Sequence, residues 1–428
     1  DNSLAGHAAL HGEVLRLDDV YEIPADAPYR FNRGFDETHG YRTKSMLVVP
    51  MKTPVGRTIG ILQLMNRKRR VVPNIATTAI VRIETVSFGV GDEELARSLA
   101  SQAAVAMENA RLTAHLRRLF EGFVEASVTA IEQRDPTTSG HSERVARLSC
   151  SLAAAADRCS RGAYAEFRAT ESDLTVLRYA AVLHDFGKVG VREAVLVKAA
   201  KLPAGRRQVL AARFEAARIA VAARLWERVA RGDLPAAEAE ERIQRERDGI
   251  ARLWEALVAA DSPTVLRADP SKELDDLARL EFVASSGETV PVVDPESLKY
   301  LAIPKGSLDE EERREIESHV TQTFRFLSRI PWTPELAGVP ELAYLHHEKL
   351  DGSGYPRGLL AKDLPPQARM MTICDIYDAL WAADRPYKKA VARDAAIGIL
   401  RTEAEVGAVD RDLLDIFVSE RIFEAGGP

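Results

Sequence analysis

The chain has 428 residues, 46% of them apolar and 29% charged, and a formal charge of −6. This length suits two or three domains, and the charge argues against a general DNA or RNA polymer partner. Cys150, Cys159 and Cys374 form no paired framework, and no apolar run reaches the roughly 20 residues that span a bilayer. A cytoplasmic location is expected. The sequence starts at Asp1 in mid-pattern without a methionine, so it reads as part of a longer protein, with attachment to a membrane through a preceding segment left open.

Residues 1–91 mix short strands and turns. SMLVVPM (45–51) and TIGILQLMNR (58–67) are apolar, branched-rich runs separated by TPVGR, the pattern of a hairpin. From Asp92 the period changes. Asp92, Glu93 and Glu94 suit a helix start. Leu95, Leu99, Gln102, Ala106, Asn109, Thr113, Leu116, Phe120 and Phe123 then recur at alternating spacings of four and three. That heptad seam predicts a connecting helix over 92–134, paired in a parallel homodimer.

Residues 135–420 read as an almost wholly helical domain, interrupted at 198–304. The first half of the interruption is rich in Ala, Arg and Glu and predicts one or two long helices; the second half reads as irregular. It contributes no obvious ligand histidine, so packing or dimer contacts are its expected role.

Five of the nine histidines fall in the helical region. His184 and Asp185 open HDFGK and follow Leu177 and Ala181 onto an apolar helix face. A buried carboxylate there needs a metal or a strong hydrogen-bond partner, and Lys188 follows within reach. His319 lies about three turns into a helix whose start reads as a Ser307–Glu310 capping box; taken alone, a hydrogen-bonded core histidine fits it as well as a ligand. His346 and His347 close the apolar run ELAYL. One metal is reached by both only if the helix ends there; two neighbouring metals are the alternative. In ICDIYDAL, Asp375 lies between apolar residues, with Asp378 on its face. Imidazoles and carboxylates together suit divalent iron, manganese, zinc or nickel. Asp185 is the best candidate for a bridging carboxylate, and a two-metal clamp points to hydrolysis at phosphorus.

GHSERV, HDFGKVG, HHEKLDGSGYP, ICDIYDAL and DRPY, in that order, resemble the HD-GYP family of HD phosphohydrolases. The resemblance implies an all-α HD-type catalytic domain that hydrolyses cyclic di-GMP to pGpG and, in some members, GMP. It implies ligands at His184, Asp185, His319, His346, His347 and Asp375, with His141 in or beside the site. It also implies two or three divalent ions, iron or manganese foremost, with Glu132 or Glu143 as candidates to help hold a third. Lys188 matches a lysine that contacts the scissile phosphate, and Asp185 and Lys188 carry the catalytic roles. Gly354, Tyr355 and Pro356 match a loop that shapes the substrate site and meets protein partners, and Arg385 matches a segment of phosphate or structural support. Asp378 is read as an acid that orients a ligating imidazole, and Glu348 either as another or as a solvent-facing acid at a helix end. The insertion is a departure from the family pattern.

HAALHGEVLRLDDVYEIP, GFDETHGYRTKSMLVVPM and IGILQLMNR resemble the latter part of a GAF domain. This implies an α+β module, a small ligand of unknown identity, and regulation of the enzyme through the connecting helix. Two rivals remain at this stage: a catalytically weak cyclic di-GMP receptor that signals through protein contacts, and an HD-type phosphodiesterase for another nucleotide.

Overall fold

The computed structural model of the chain describes residues 2–70, 81, 83–135, 139–263, 271–381 and 391–426. It divides into two compact units, Asp1–Phe123 and Val124–Pro428.

The first unit is α+β. Helix α1 (Leu4–His11) starts at Ser3, whose hydroxyl accepts the Gly6 amide at 3.0 Å. A three-stranded antiparallel sheet follows in the order β1 (Leu15–Leu17), β2 (Met46–Lys52), β3 (Thr58–Met65), with helix α2 (Gly34–His39) between β1 and β2. Strand β2 is buried on both faces, which explains its unbroken apolar run. Met46 and Val48 pack with Leu4, Ala8 and Val20, while Leu47 and Val49 face Phe88, Ala96 and Ala100. TPVGR makes the expected hairpin: the Thr53 amide donates to the Arg57 carbonyl at 2.9 Å, and Gly56 takes φ +83°. Only glycine adopts that angle without strain.

Helix α3 runs over Val90–Arg134. Ala96, Ala100 and Ala104 are buried in the first unit, whereas Leu95, Leu99, Leu116 and Phe123 of the heptad seam are exposed. In the second unit its last turns bury Val124, Ser127 and Ile131 at helical spacing.

The second unit is built from helices α4 (His141–Asp157), α5 (Glu171–Leu183), α6 (Arg206–Ala230), α7 (Ala236–Ala260), α8 (Ser271–Ala278), α9 (Pro295–Leu301), α10 (Glu310–Leu327), α11 (Val339–Tyr344), α12 (Pro366–Trp381), α13 (Arg393–Glu405) and α14 (Arg411–Ser419). Helix α12 is buried from Met370 to Asp375 and again at Tyr377 and Asp378, so it needs little amphipathic pattern.

Helices α6 to α9 hold a core of their own, with Leu210, Phe214, Leu257, Leu277, Val292 and Leu301 at its centre. The half read as irregular contains α8, a hairpin of β4 (Glu281–Val283) with β5 (Thr289–Pro291), and α9. Those elements are too short for sequence periodicity to register. The ends of the segment are tied together, since Ser307 Oγ donates to the Lys198 carbonyl at 2.9 Å. The expected Ser307–Glu310 box is therefore displaced. Asp309 caps α10 instead, in a reciprocal box with Glu312. No helix among the described residues is long and apolar enough to cross a membrane.

Candidate metal centre

Five chain segments converge. Helix α5 ends at Leu183 and delivers His184 and Asp185 to a 3-10 turn, Phe186–Gly190. That turn lies hard against α10, because a Cβ on Gly187 would come within 1.9 Å of the His319 carbonyl oxygen. Thr323 fastens the contact: its hydroxyl donates to the His184 carbonyl and accepts the Gly187 amide, each at 2.8 Å. Gly187 is thus required for close approach, and the approach brings His319 to Asp185. Helix α11 ends at Tyr344, freeing His346 and His347 from helical rotation. Helix α4 supplies His141, and α12 supplies Asp375 and Asp378.

Three imidazoles share one arrangement. Nδ1 of His184, His319 and His346 donates to the carbonyls of Ala181, Ile316 and Ala343 at 2.7, 2.5 and 2.6 Å. A nitrogen that donates carries the proton, so in the neutral ring Nε2 presents a lone pair. All three Nε2 atoms are buried and without a hydrogen-bond partner. An orphaned buried acceptor is costly unless something binds it.

The ligand atoms fall into overlapping clusters: His319, His346 and His347; His141, His184 and Asp375; and His184, Asp185 and His346. His346 and His347 both join His319, with their rings 4.1 Å apart. Asp185 lies between the groups. Its Oδ1 is 3.2 Å from His319 Nε2, and its Oδ2 is 3.4 Å from His184 Nε2. This donor set fits divalent cations.

Electrostatics suit these side chains to receive a cation. Burial would raise the Asp185 carboxyl, but Lys188, His184 and His319 hold it well below its ordinary value. Burial raises Asp375 too, and the hydrogen bond with His141 and the positive charge of that ring reverse this. Burial lowers His346 far below its usual value and His347 to about 4, so both are neutral at pH 7. His141 differs. Burial lowers it, yet hydrogen bonds to Asp375 and Asp378 outweigh that and bring it to about 9. Its Nδ1 lies 2.7 Å from Asp378 Oδ2, and Arg144 grips the same carboxylate at 2.7 Å.

Lys188 Nζ lies 2.8 Å from Asp185 Oδ2 and 3.2 Å from Asp135 Oδ2. Tyr355 lies beside His347, the rings tilted by 40° with centroids 4.8 Å apart. Gly354 allows the loop to fold back, because a Cβ there would come within 2.3 Å of the Lys349 amide nitrogen. Glu348 does not orient an imidazole. Its carboxylate accepts the amides of Arg357 at 2.7 Å and Leu359 at 2.9 Å, and so braces the loop. Glu143 is exposed and Glu132 half-buried, and neither joins a cluster among the described residues. Arg385 lies outside the described residues.

Sequence reasoning missed Arg144 and Asp135. Arg144 could have been found, being one turn after His141 on a shared helix face. Asp135 could not, since no spacing ties it to Lys188 53 residues later.

A GAF-domain model matches residues 1–107, and two HD-domain models match residues 138–259 and 289–413. The chain is 41% identical over 95 residues to 3'3'-cGAMP-specific phosphodiesterase 3 of Vibrio cholerae, covering 22% of this chain and 20% of that protein. It is 32% identical over 167 residues to the cyclic di-GMP phosphodiesterase response regulator RpfG of Xanthomonas campestris, covering 37% and 43%. Over 88 residues it is 40% identical to a cyclic di-GMP phosphodiesterase of Thermotoga maritima, covering 21% and 23%. The matched segments span less than half the length of these curated relatives. The chain combines a GAF domain with an HD domain, the architecture of HD-GYP-type cyclic-di-GMP and cGAMP phosphodiesterases.

Proposed function

We propose that the chain is a metal-dependent phosphodiesterase that opens cyclic di-GMP to pGpG and on to GMP. The observation that carries this reading is the set of three buried, orphaned Nε2 atoms turned toward a shared carboxylate. His141, His184, Asp185 and Asp375 would hold one divalent ion, and Asp185, His319, His346 and His347 a second, with iron or manganese the best match to the donors. When bound, such ions supply Lewis acidity toward phosphoryl oxygens and lower the pKa of water.

The chain's own residues do the rest. Lys188 offers a fixed positive charge to the scissile phosphate. Arg144, through Asp378, holds the His141 ring in register. Burial raises the Tyr355 phenol above its ordinary value, so it stays a neutral hydrogen-bond donor on the substrate side. Glu348 keeps the Gly354–Tyr355–Pro356 loop in place. The exposed seam on α3 suits a parallel homodimer, and the GAF domain suits regulation by a small ligand.

Metal analysis of the purified chain, paired with product analysis on cyclic di-GMP, 3'3'-cGAMP and cyclic AMP, tests the reading. Bound divalent metal with pGpG or GMP formed supports it. Exclusive turnover of 3'3'-cGAMP, the substrate named for one relative, would move the substrate and keep the chemistry. Tight binding of cyclic di-GMP without turnover across several reconstituted metals would make the chain a receptor.

A further inference from the structure

Helix α3 ends at Arg134, and the next residue, Asp135, is buried at 3% exposure. The helix end is pinned there: the Asp135 amide donates to the Ile131 carbonyl at 2.9 Å, and the Arg134 guanidinium donates to the Val191 carbonyl at 2.8 Å. Between those anchors, Asp135 Oδ2 reaches Lys188 Nζ at 3.2 Å. The ammonium is therefore shared by two buried carboxylates, Asp135 and Asp185. Burial lowers the lysine's pKa, and the two negative charges more than restore it.

The sharing matters because Asp185 Oδ2 has two claimants. It faces Lys188 at 2.8 Å, and it also faces His184 at 3.4 Å and His141 at 3.8 Å, where a cation would be held. A buried ammonium does not remain unpaired. With Asp135 present, Lys188 keeps a counter-ion even when Asp185 turns to a metal. Without it, the described residues leave Asp185 as the lysine's carboxylate partner, and lysine and metal compete for one oxygen.

We propose that Asp135 is a positioning residue: it holds the Lys188 ammonium beside the centre while leaving Asp185 free to ligate. This rests on the metal-dependent reading above. The helix arriving from the GAF domain thus ends in the counter-ion of the lysine assigned to the phosphate.

The test uses the full chain in four forms: unaltered, Asp135→Asn, Lys188→Met and the double variant. Manganese retention is measured against a fixed chelator concentration, and kcat and KM on cyclic di-GMP are measured beside it. Asp135→Asn should weaken retention by about tenfold to a hundredfold, the usual effect of losing a residue behind a metal ligand. It should lower kcat more than KM. The double variant should recover the retention of Lys188→Met while staying poor in turnover, because the competitor for Asp185 is gone. A merely structural Asp135 would not be rescued by removing the lysine. Retention in Asp135→Asn equal to that of the unaltered chain would overturn the proposal, as would a double variant no better than Asp135→Asn. If the unaltered chain holds manganese but turns nothing over, the functional reading falls while the retention pattern still decides the role of Asp135.

Discussion

The metal centre and the inserted subdomain of α6 to α9 are both rich in charged residues, yet their charges are handled oppositely. In the insertion, acids and bases neutralise one another at the surface: Arg206 with Glu296, Arg231 with Glu227, Arg242 with Glu238, and Arg224 with Glu246 at 2.6 Å. Its core is apolar apart from the buried Lys201 and Asp261, and Asp261 is satisfied by the Leu202 amide and Arg207. In the centre, histidines and aspartates are gathered together, four rings are tied through Nδ1, and three acceptors are left open. Charge density does not mark function here. What sets the centre apart is three imidazole acceptors held in place around one carboxylate with nothing to bind.

The largest effect should come from Asp185→Ala, which removes the carboxylate common to both groups of histidines. Metal content and turnover should fall together, by more than the roughly hundredfold cost of losing an outer partner. Metal analysis beside a hydrolysis assay checks this, and substantial activity in the variant would dissolve the contrast between the two regions.

Next comes Gly187→Ala. Its Cβ would meet the His319 carbonyl oxygen at 1.9 Å and the Thr323 amide nitrogen at 2.6 Å. Backbone cannot yield as a side-chain tip would, so a loss of about 1–3 kcal/mol is expected, together with weakened metal retention. Denaturant unfolding with and without manganese separates the two effects. A fully stable variant with normal retention would show that the turn need not lie so close to α10.

The pH dependence sharpens the comparison from another side. His141 rises from its ordinary 6.5 to about 9 in the folded, metal-free chain. A raised pKa means the folded state binds the proton more tightly than the unfolded state. This contribution is complete below pH 6.5 and is lost as pH rises toward 9. Metal uptake must displace that proton, so retention should strengthen over the same window. Melting curves of metal-free and loaded protein between pH 6 and 9.5 should therefore diverge, the former falling relative to the latter. Parallel curves would remove His141 from the ligand set.

The smallest effect belongs to the insertion. Arg224→Ala breaks an exposed pair, and such pairs contribute little. Its melting temperature should move by less than about 2 °C, with turnover unchanged.

How much was legible follows from what sequence spacing can encode. The GAF hairpin could be read because TPVGR places glycine where a left-handed angle is required. The 45-residue helix α3 could be read because its period persists. The residues of the candidate site could be picked out because their motifs are local: His184 with Asp185, His346 with His347, and Asp375 with Asp378. The start of α10 slipped from Ser307 to Asp309 because both precede acids, and only Ser307's bond to Lys198 separates them. Glu348 was misread because an acid beside a ligand has no sequence mark for the direction of its carboxylate.

By itself, then, the sequence determined the architecture of GAF module, long helix and interrupted helical domain, and the residue types of a candidate metal centre. These depend on periodicity and short-range pattern. Tertiary structure alone decided which segments meet: Gly187 against His319, His141 against Asp378, and Asp135 against Lys188. Each of those pairings joins segments far apart in the chain, and only packing brings them within a hydrogen bond.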